Sequence, residues 1–246
     1  MTWNWFDTAW PWIGLMAAVI LLILLFGTER LRGDLTLSRW RDPVWLAWWA
    51  VPVYMLHNVE EYGIDLLGRT HAFPDAMCTV LGFAPYPACT VPPAFFLAVN
   101  ISLFWIASPV AAVLSRKHAV VGLIFYGLLI TNGLTHIVPM ALGRGYNPGA
   151  VTAVLLFLPS FFWVASHCFG PGRIPYQGLL VIVGAGVMLH AILLGSAFAF
   201  RRGEIGDTTL VLLQILNAVL FLVVPWMAER FLKVTPLPAR PDALVT

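Results

Sequence analysis

The stretch PWIGLMAAVILLILLFG, from Pro11 to Gly27, contains no charged residue. Its length matches the roughly 17–25 apolar residues that carry an α-helix across a bilayer. Similar runs recur along all 246 residues, which are 60% hydrophobic and only 11% charged, whereas soluble domains carry about 25% charged residues. The sequence therefore predicts an all-α, polytopic membrane protein. Because no basic segment precedes this first run, we expect a retained helix rather than a signal peptide.

The apolar runs predict seven transmembrane helices within a single transmembrane domain that covers residues 1–246. Their approximate limits are 11–27, 43–67, 92–114, 118–142, 148–168, 176–199 and 208–232. Pro11, Pro43 and Pro148 stand where the first turn of a helix tolerates proline. Aromatic residues near the ends of the runs, such as Trp3 and Trp226, are typical of a membrane interface.

The distribution of Lys and Arg predicts the orientation of the helices. Ten of the 14 basic residues fall on the side that holds the C-terminus: Arg30, Arg32, Arg39, Arg41, Arg116, Lys117, Arg173, Arg230, Lys233 and Arg240. The other four are Arg69, Arg144, Arg201 and Arg202. Basic residues concentrate in cytoplasmic segments, so we predict an outer N-terminus and a cytoplasmic C-terminus, in a bacterial cytoplasmic membrane. The net charge of +2 argues against a nucleic-acid partner, and no feature indicates an oligomeric state.

One long loop, residues 68–91, lies on the predicted outer side and contains Cys78 and Cys89. These cysteines form a disulfide if that side is oxidising, and otherwise remain two free thiols. The sequence leaves both alternatives open.

Ionisable side chains interrupt the second predicted span in YMLHNVEEYG, residues 54–63. Glu60 and Glu61 follow His57 by three and four residues, so all three project from one side of a helix. An ionisable side chain such as Asp costs about 2.5–3.5 kcal/mol at the centre of a membrane helix, so each one needs a partner or a function. Asn132 and His136, four residues apart, share a face of the fourth span in the same way.

These polar residues lie at similar predicted depths, although they come from different helices. His57, His136 and His190 fall about 10–20 Å below the outer surface, given a rise of about 1.5 Å per helical residue. We therefore predict one polar chamber in the outer half of the membrane, open to the outer face. The segment GRGYNPG, 143–149, lies at its mouth. There Arg144 can act as a counter-charge or bind an anionic substrate.

Three short motifs resemble those of one known family. HNVEE at 57–61, NGLTH at 132–136 and YNPG at 146–149 are similar to the HxxEE, NxxxH and YxPG motifs of the HXXEE family of membrane proteins. The resemblance covers a core of approximately 43–168. In the family the third motif usually continues with Thr, whereas here Ala150 follows and the threonine comes at position 152. The resemblance implies membrane residence and is compatible with an enzyme, but it supplies no reaction.

We predict that His57, Glu60, Glu61 and His136 carry the catalytic site. The predicted metal ligands are His57, Glu61, His136 and His190, because imidazole and carboxylate groups suit zinc or iron. In this hypothesis a glutamate that does not bind the metal acts as general base on metal-bound water.

Three further residues are predicted to support the site. We expect Asn132 to orient His136 or a ligating carboxylate, and Tyr146 and Arg144 to act from the mouth of the chamber. The favoured function is a metal-dependent hydrolase or oxidase of a lipid or isoprenoid, with a membrane lipid or lipophilic small molecule as partner.

Other functions stay open at this point. Two adjacent carboxylates in a medium of low dielectric constant share a proton, which also suits a metal-free isomerase or cyclase. Buried Glu and His residues also carry protons in transporters. Finally, His57, Glu61 and His136 can form an interhelical ion pair with a structural role alone.

Overall fold

The computed structural model describes residues 4–232, and the regular secondary structure within them is helical, apart from one isolated bridge between Phe169 and Ile174. The helices are α1 (Trp5–Gly27), α2 (Pro43–Asn58, continued by the π-helical turn Val59–Gly63), α3 (Ala72–Val80), α4 (Pro93–Leu114), α5 (Ala119–Ala141), α6 (Ala150–Cys168), α7 (Tyr176–Arg201) and α8 (Asp207–Glu229). Three residues used in the predicted aromatic belt and charge count, Trp3, Lys233 and Arg240, lie outside the described residues.

Six helices, α1 and α4 to α8, are long and apolar enough to cross a membrane. They support a multi-pass membrane protein with the all-α architecture that the sequence predicts. The second predicted span, 43–67, is not among the six, and its helix ends earlier than predicted, at Gly63. The count of seven and the orientation therefore remain predictions.

The start of α1 differs from the prediction. Asn4 caps the helix by accepting hydrogen bonds from Phe6 and Asp7 N–H, while the Asp7 carboxylate accepts from Asn4 N–H. This capping box starts the helix at Trp5. Pro11 consequently lies inside α1 rather than in its first turn.

The other two prolines differ from each other. Pro43 does occupy the first turn of α2, behind Asp42, whose carboxylate accepts from Val44 and Trp45 N–H. Pro148, by contrast, precedes the first residue of α6 by two positions, because α6 begins at Ala150.

The helix α5 lies at the centre of the bundle. Of its most apolar stretch 67% is buried, against 22–39% for the other five candidate spans. It packs closely on α7, where a Cβ added to Gly127 would lie 1.8 Å from the Ile182 carbonyl oxygen. Outer helices expose large apolar side chains, such as Ile23 of α1 and Leu180 of α7. An apolar outer surface of this kind is what a lipid environment favours.

The long loop 68–91 is partly ordered by α3 and covers one end of the bundle. Its Cys78 and Cys89 are joined by a disulfide, which resolves the alternative left open by the sequence. Met77 and Leu81 of this loop pack in a cluster that also contains Trp10 of α1. The loop therefore forms an apolar cap next to the end of α2.

Candidate metal centre

The π-helical turn at the end of α2 sets the directions of the two glutamates. Its wider backbone ring is marked by the Ile64 N–H, which donates to the Val59 carbonyl at 2.8 Å. Single π-helical turns are frequent at functional sites. Here Glu60 and Glu61, although adjacent, contact different partners.

Glu61 contacts two histidines from different helices. Its Oε1 lies 3.4 Å from His57 Nε2 and 3.3 Å from His136 Nε2. All three side chains are buried, with at most 5% exposed. Their ligand atoms lie within 4.8 Å of one another, so this group could hold a metal ion.

The other nitrogen of each imidazole is held by a hydrogen bond. His136 Nδ1 lies 2.8 Å from Asn147 Oδ1, and an amide oxygen can only accept. His57 Nδ1 lies 2.7 Å from Thr152 Oγ1, whose own proton is donated to Glu60 Oε2 at 2.6 Å. Each Nδ1 therefore carries a proton, and each imidazole in its neutral form presents the lone pair of Nε2.

Two lone pairs and a carboxylate oxygen thus converge at one buried point. Neither Nε2 has a hydrogen-bond partner in the described structure. Acceptors that face one another repel unless a cation, either a metal ion or a proton, lies between them. Zinc bonds of about 2.0–2.1 Å in a tetrahedron place ligand atoms roughly 3.3–3.4 Å apart. The two distances from Glu61 Oε1, 3.4 and 3.3 Å, match this spacing.

Glu60 lies outside this group and holds the segment after α5 instead. Its oxygens accept from the Tyr146 hydroxyl at 2.6 Å, from Val151 N–H at 3.0 Å, and from Thr152 N–H and Oγ1–H at 2.8 and 2.6 Å. Burial, together with the bond donated to Glu60, raises the pKa of Tyr146 above its ordinary value, so the phenol remains a donor. Glu60 is therefore a positioning residue for the histidine partner Thr152.

Asn132 has a different role from the one that the sequence suggested. Its Nδ2 donates to the Tyr54 hydroxyl, and its Oδ1 accepts from Thr135. Asn147, not Asn132, orients His136. Nor does the sequence pattern indicate a role for Thr152. In the sequence, the one indication for Asn147 and Thr152 was their position in and just after YNPG. Their contacts depend on the conformation of this loop, which the sequence pattern does not predict.

Position 149 requires glycine for two reasons: its backbone conformation and the lack of space for a side chain. Its φ of +95° belongs to the left-handed region that favours glycine. A Cβ at this position would lie 2.7 Å from His57 Cε1 and 2.8 Å from His136 Cε1. The backbone of the YNPG segment therefore packs directly against both imidazoles.

The comparison with known families selects the same residues. A family model described as a protein of unknown function with HXXEE motif matches residues 48–164, from α2 to α6. This is an HXXEE family protein. No curated protein and no solved structure matches the chain.

The three motifs of this HXXEE protein meet at one site. The first supplies His57, Glu60 and Glu61, and the second supplies His136. The third supplies the close backbone approach of Gly149. Thr152, displaced by two positions from its usual place in the motif, joins His57 to Glu60.

A cavity of about 320 Å³ adjoins two residues of the group, Glu61 and His136. Glu61, His136 and Asn132 line its polar side, and Arg144 and Asn147 also contribute to the wall. Most of the remaining wall is aromatic or aliphatic: Tyr62, Phe73, Met77, Phe95, Phe96, Val99, Leu103, Phe104, Leu128, Leu189, Leu193 and Leu194.

His190 also lines this cavity but is not a member of the three-residue group. Its Nδ1 donates to the Gly186 carbonyl at 2.8 Å, so its Nε2 is an acceptor. Asn217 and Gln214 of α8 donate to α7 at Leu189 O and Ser196 Oγ. These bonds join helices rather than complete the site.

Proposed function

We propose that this HXXEE protein is an integral membrane enzyme that binds one zinc or iron ion through His57, Glu61 and His136. The observation that carries the proposal is the convergence of two Nε2 lone pairs on Glu61 Oε1, with both Nδ1 atoms held from behind. Metal-ligating histidines generally donate their other N–H to such an oxygen, which fixes the ring.

The number of ligands favours catalysis over a structural ion. Structural zinc is closed by four protein ligands, whereas catalytic zinc has three and keeps one position open. Two histidines and one carboxylate are used by zinc hydrolases, and also by non-haem iron oxygenases. The reaction class that we propose is therefore metal-dependent hydrolysis or oxidation.

The cavity favours an apolar substrate, such as a lipid or isoprenoid chain. Its volume of about 320 Å³ is at the lower end of the roughly 300–1,000 Å³ of ligand pockets. The metal would polarise a substrate oxygen or activate water. Among the protein groups, His190 Nε2 is available on the cavity wall as a proton acceptor, whereas Glu60 is occupied by four hydrogen bonds.

A second candidate function uses a proton in place of the metal. The same 3.3–3.4 Å distances suit an imidazolium that shares its proton with Glu61. The site would then perform acid–base isomerisation of the apolar substrate. Both candidates use the same cavity and differ in the cation at its wall.

Elemental mass spectrometry on protein purified in detergent without chelator separates the two. We expect about one equivalent of zinc or iron, a single site with three protein ligands, and loss of the metal in His57→Ala/His136→Ala. His167→Ala is the matched control, because this exposed imidazole stacks on Trp163 outside the site. Wild-type protein that stays metal-free after incubation with zinc and with ferrous iron would contradict the metal enzyme and favour the acid–base enzyme.

A further inference from the structure

We propose that the substrate is a single-chain amphiphile with an anionic head group, carboxylate or phosphate, which binds with its head at Arg144 and its chain in the cavity. This proposal rests on the proposed function for its reaction. The binding mode itself follows from the cavity and can be tested without turnover.

The first observation behind this proposal is the distribution of charge on the cavity wall. Among the residues that line it, Glu61 and Arg144 are the two with formal charge. The Glu61 Oε1 is directed to the two histidines, which leaves Arg144 to meet a ligand. Its guanidinium makes no ion pair or hydrogen bond within residues 4–232. The nearby Arg69 differs, because its guanidinium is bound to Asp65 at 2.8 and 2.7 Å.

The second observation is the apolar character of most of the remaining wall. Aromatic and aliphatic side chains such as Phe95, Phe96 and Leu193 form most of it and bring no further formal charge. A ligand that is complementary both to Arg144 and to this apolar wall has one anionic end and one apolar chain. Arg pairs readily with carboxylate and phosphate oxygens, so either head group suits the rim.

The opening of the cavity indicates how the chain enters. Val80 of α3 and Leu194 of α7 line it and are 64% and 38% exposed. Thr135 of α5 lines it on the same open side and is exposed too. The opening therefore has apolar edges contributed by the sides of the helices. A chain dissolved in the bilayer can enter through this opening without passing through water.

Equilibrium binding of three labelled probes to protein in nanodiscs tests the proposal, with empty nanodiscs as background. The probes are dodecanoate, dodecyl phosphate and dodecanol, which share one chain. We expect the two anions to bind about fivefold more tightly than dodecanol, the scale of a partly exposed ion pair. In Arg144→Gln this preference should vanish while dodecanol binding stays unchanged.

Two further variants make the result specific. Arg30→Gln removes the same charge from an exposed residue away from the cavity and should keep the preference. Leu193→Trp should weaken the binding of all three probes, because the larger side chain fills the cavity. Equal binding of dodecanoate and dodecanol, or equal effects of Arg144→Gln and Arg30→Gln, would overturn the anionic head group. Unchanged binding in a folded Leu193→Trp protein would overturn the cavity as the chain site.

The outcome is separable from that of the metal measurement. A metal-free wild-type protein that keeps the Arg144-dependent preference would reject the metal enzyme and support this inference. A metal-bound protein without the preference would do the reverse. Comparison of dodecanoate with dodecyl phosphate then distinguishes the two head groups.

Discussion

Residues 4–232 contain two buried or half-buried His–Glu arrangements that look alike by distance alone. In one, His118 at the start of α5 lies 3.3 Å from Glu229 at the end of α8. In the other, His57 and His136 lie 3.4 and 3.3 Å from Glu61. What separates them is the surroundings of each ring.

The pair at His118 joins two helix ends. Glu229 also accepts from Val120 N–H at 3.2 Å, and the His118 side chain is 35% exposed. Among the described residues this pair belongs to no group of three metal-ligating side chains. At the Glu61 site, Asn147 and Thr152 fix both rings from behind. The outer partners, rather than the His–Glu distance, therefore distinguish the candidate metal site from a helix-end contact.

The largest effect is expected from exchanging the two glutamates for glutamine. Glu61→Gln should lower metal affinity by more than about 100-fold, above the 10–100-fold typical of losing an outer partner, because it removes the ligand charge. Glu229→Gln should leave metal affinity unchanged and lower only thermal stability. Metal titration of both purified variants checks this. Equal metal affinity of the two variants would remove the distinction between the arrangements.

Gly149→Ala should come next, because it pushes a Cβ against both imidazoles. We expect metal affinity to fall about 100-fold, as the rings lose their fixed orientation. Gly145→Ala is the matched control, because Gly145 has a φ of +80° with nothing within 4 Å. Both variants carry left-handed strain of roughly 1–2 kcal/mol, but only Gly149→Ala should lose metal. Retention of metal by Gly149→Ala would mean that the segment does not hold the rings.

Thr152→Val should have a smaller effect. It removes the hydroxyl that accepts from His57 and donates to Glu60, so we expect a 10–100-fold loss of metal affinity, about the range for outer partners. Thr152→Ser keeps the hydroxyl and should restore most of the affinity. If Ser and Val behave alike in the same titration, the hydroxyl has no role in orienting His57.

Tyr146→Phe should have the smallest effect. Glu60 loses one of its four hydrogen-bond donors but keeps the bonds from Val151 and Thr152. One such bond contributes about 1–2 kcal/mol, so thermal unfolding should shift by a few degrees while metal stays bound. Loss of metal from this variant would show that Tyr146 acts on the ligands directly.

The sequence predicted which side chains come together better than it predicted their individual contacts. Spacing of three and four residues put His57 and Glu61 on one helix face, and matched depth brought His136 to them. Glu60 and Glu61 could not be told apart, because a helical period of 3.6 residues treats both as facing the chamber. In the π-helical turn Val59–Gly63 the two side chains are directed to different partners. No residue pattern in the sequence predicted this turn.

The limits of the helices were also predictable from the sequence, whereas their local polar contacts were not. Continuous apolar runs gave most helix limits to within a few residues, since the bilayer sets their length. Local polar contacts were not predictable from hydropathy. The Asn4–Asp7 capping box starts α1 six residues early, and the loop after α5 places Asn147 and Thr152 through its backbone conformation.

X-ray absorption spectroscopy on protein loaded with one equivalent of zinc tests the central claim most directly. We expect two imidazole nitrogens and one carboxylate oxygen at about 2.0–2.1 Å from the metal. In His136→Ala the imidazole scattering should fall by half. A spectrum without imidazole scattering, or one that His136→Ala leaves unchanged, would contradict a metal held by His57, Glu61 and His136.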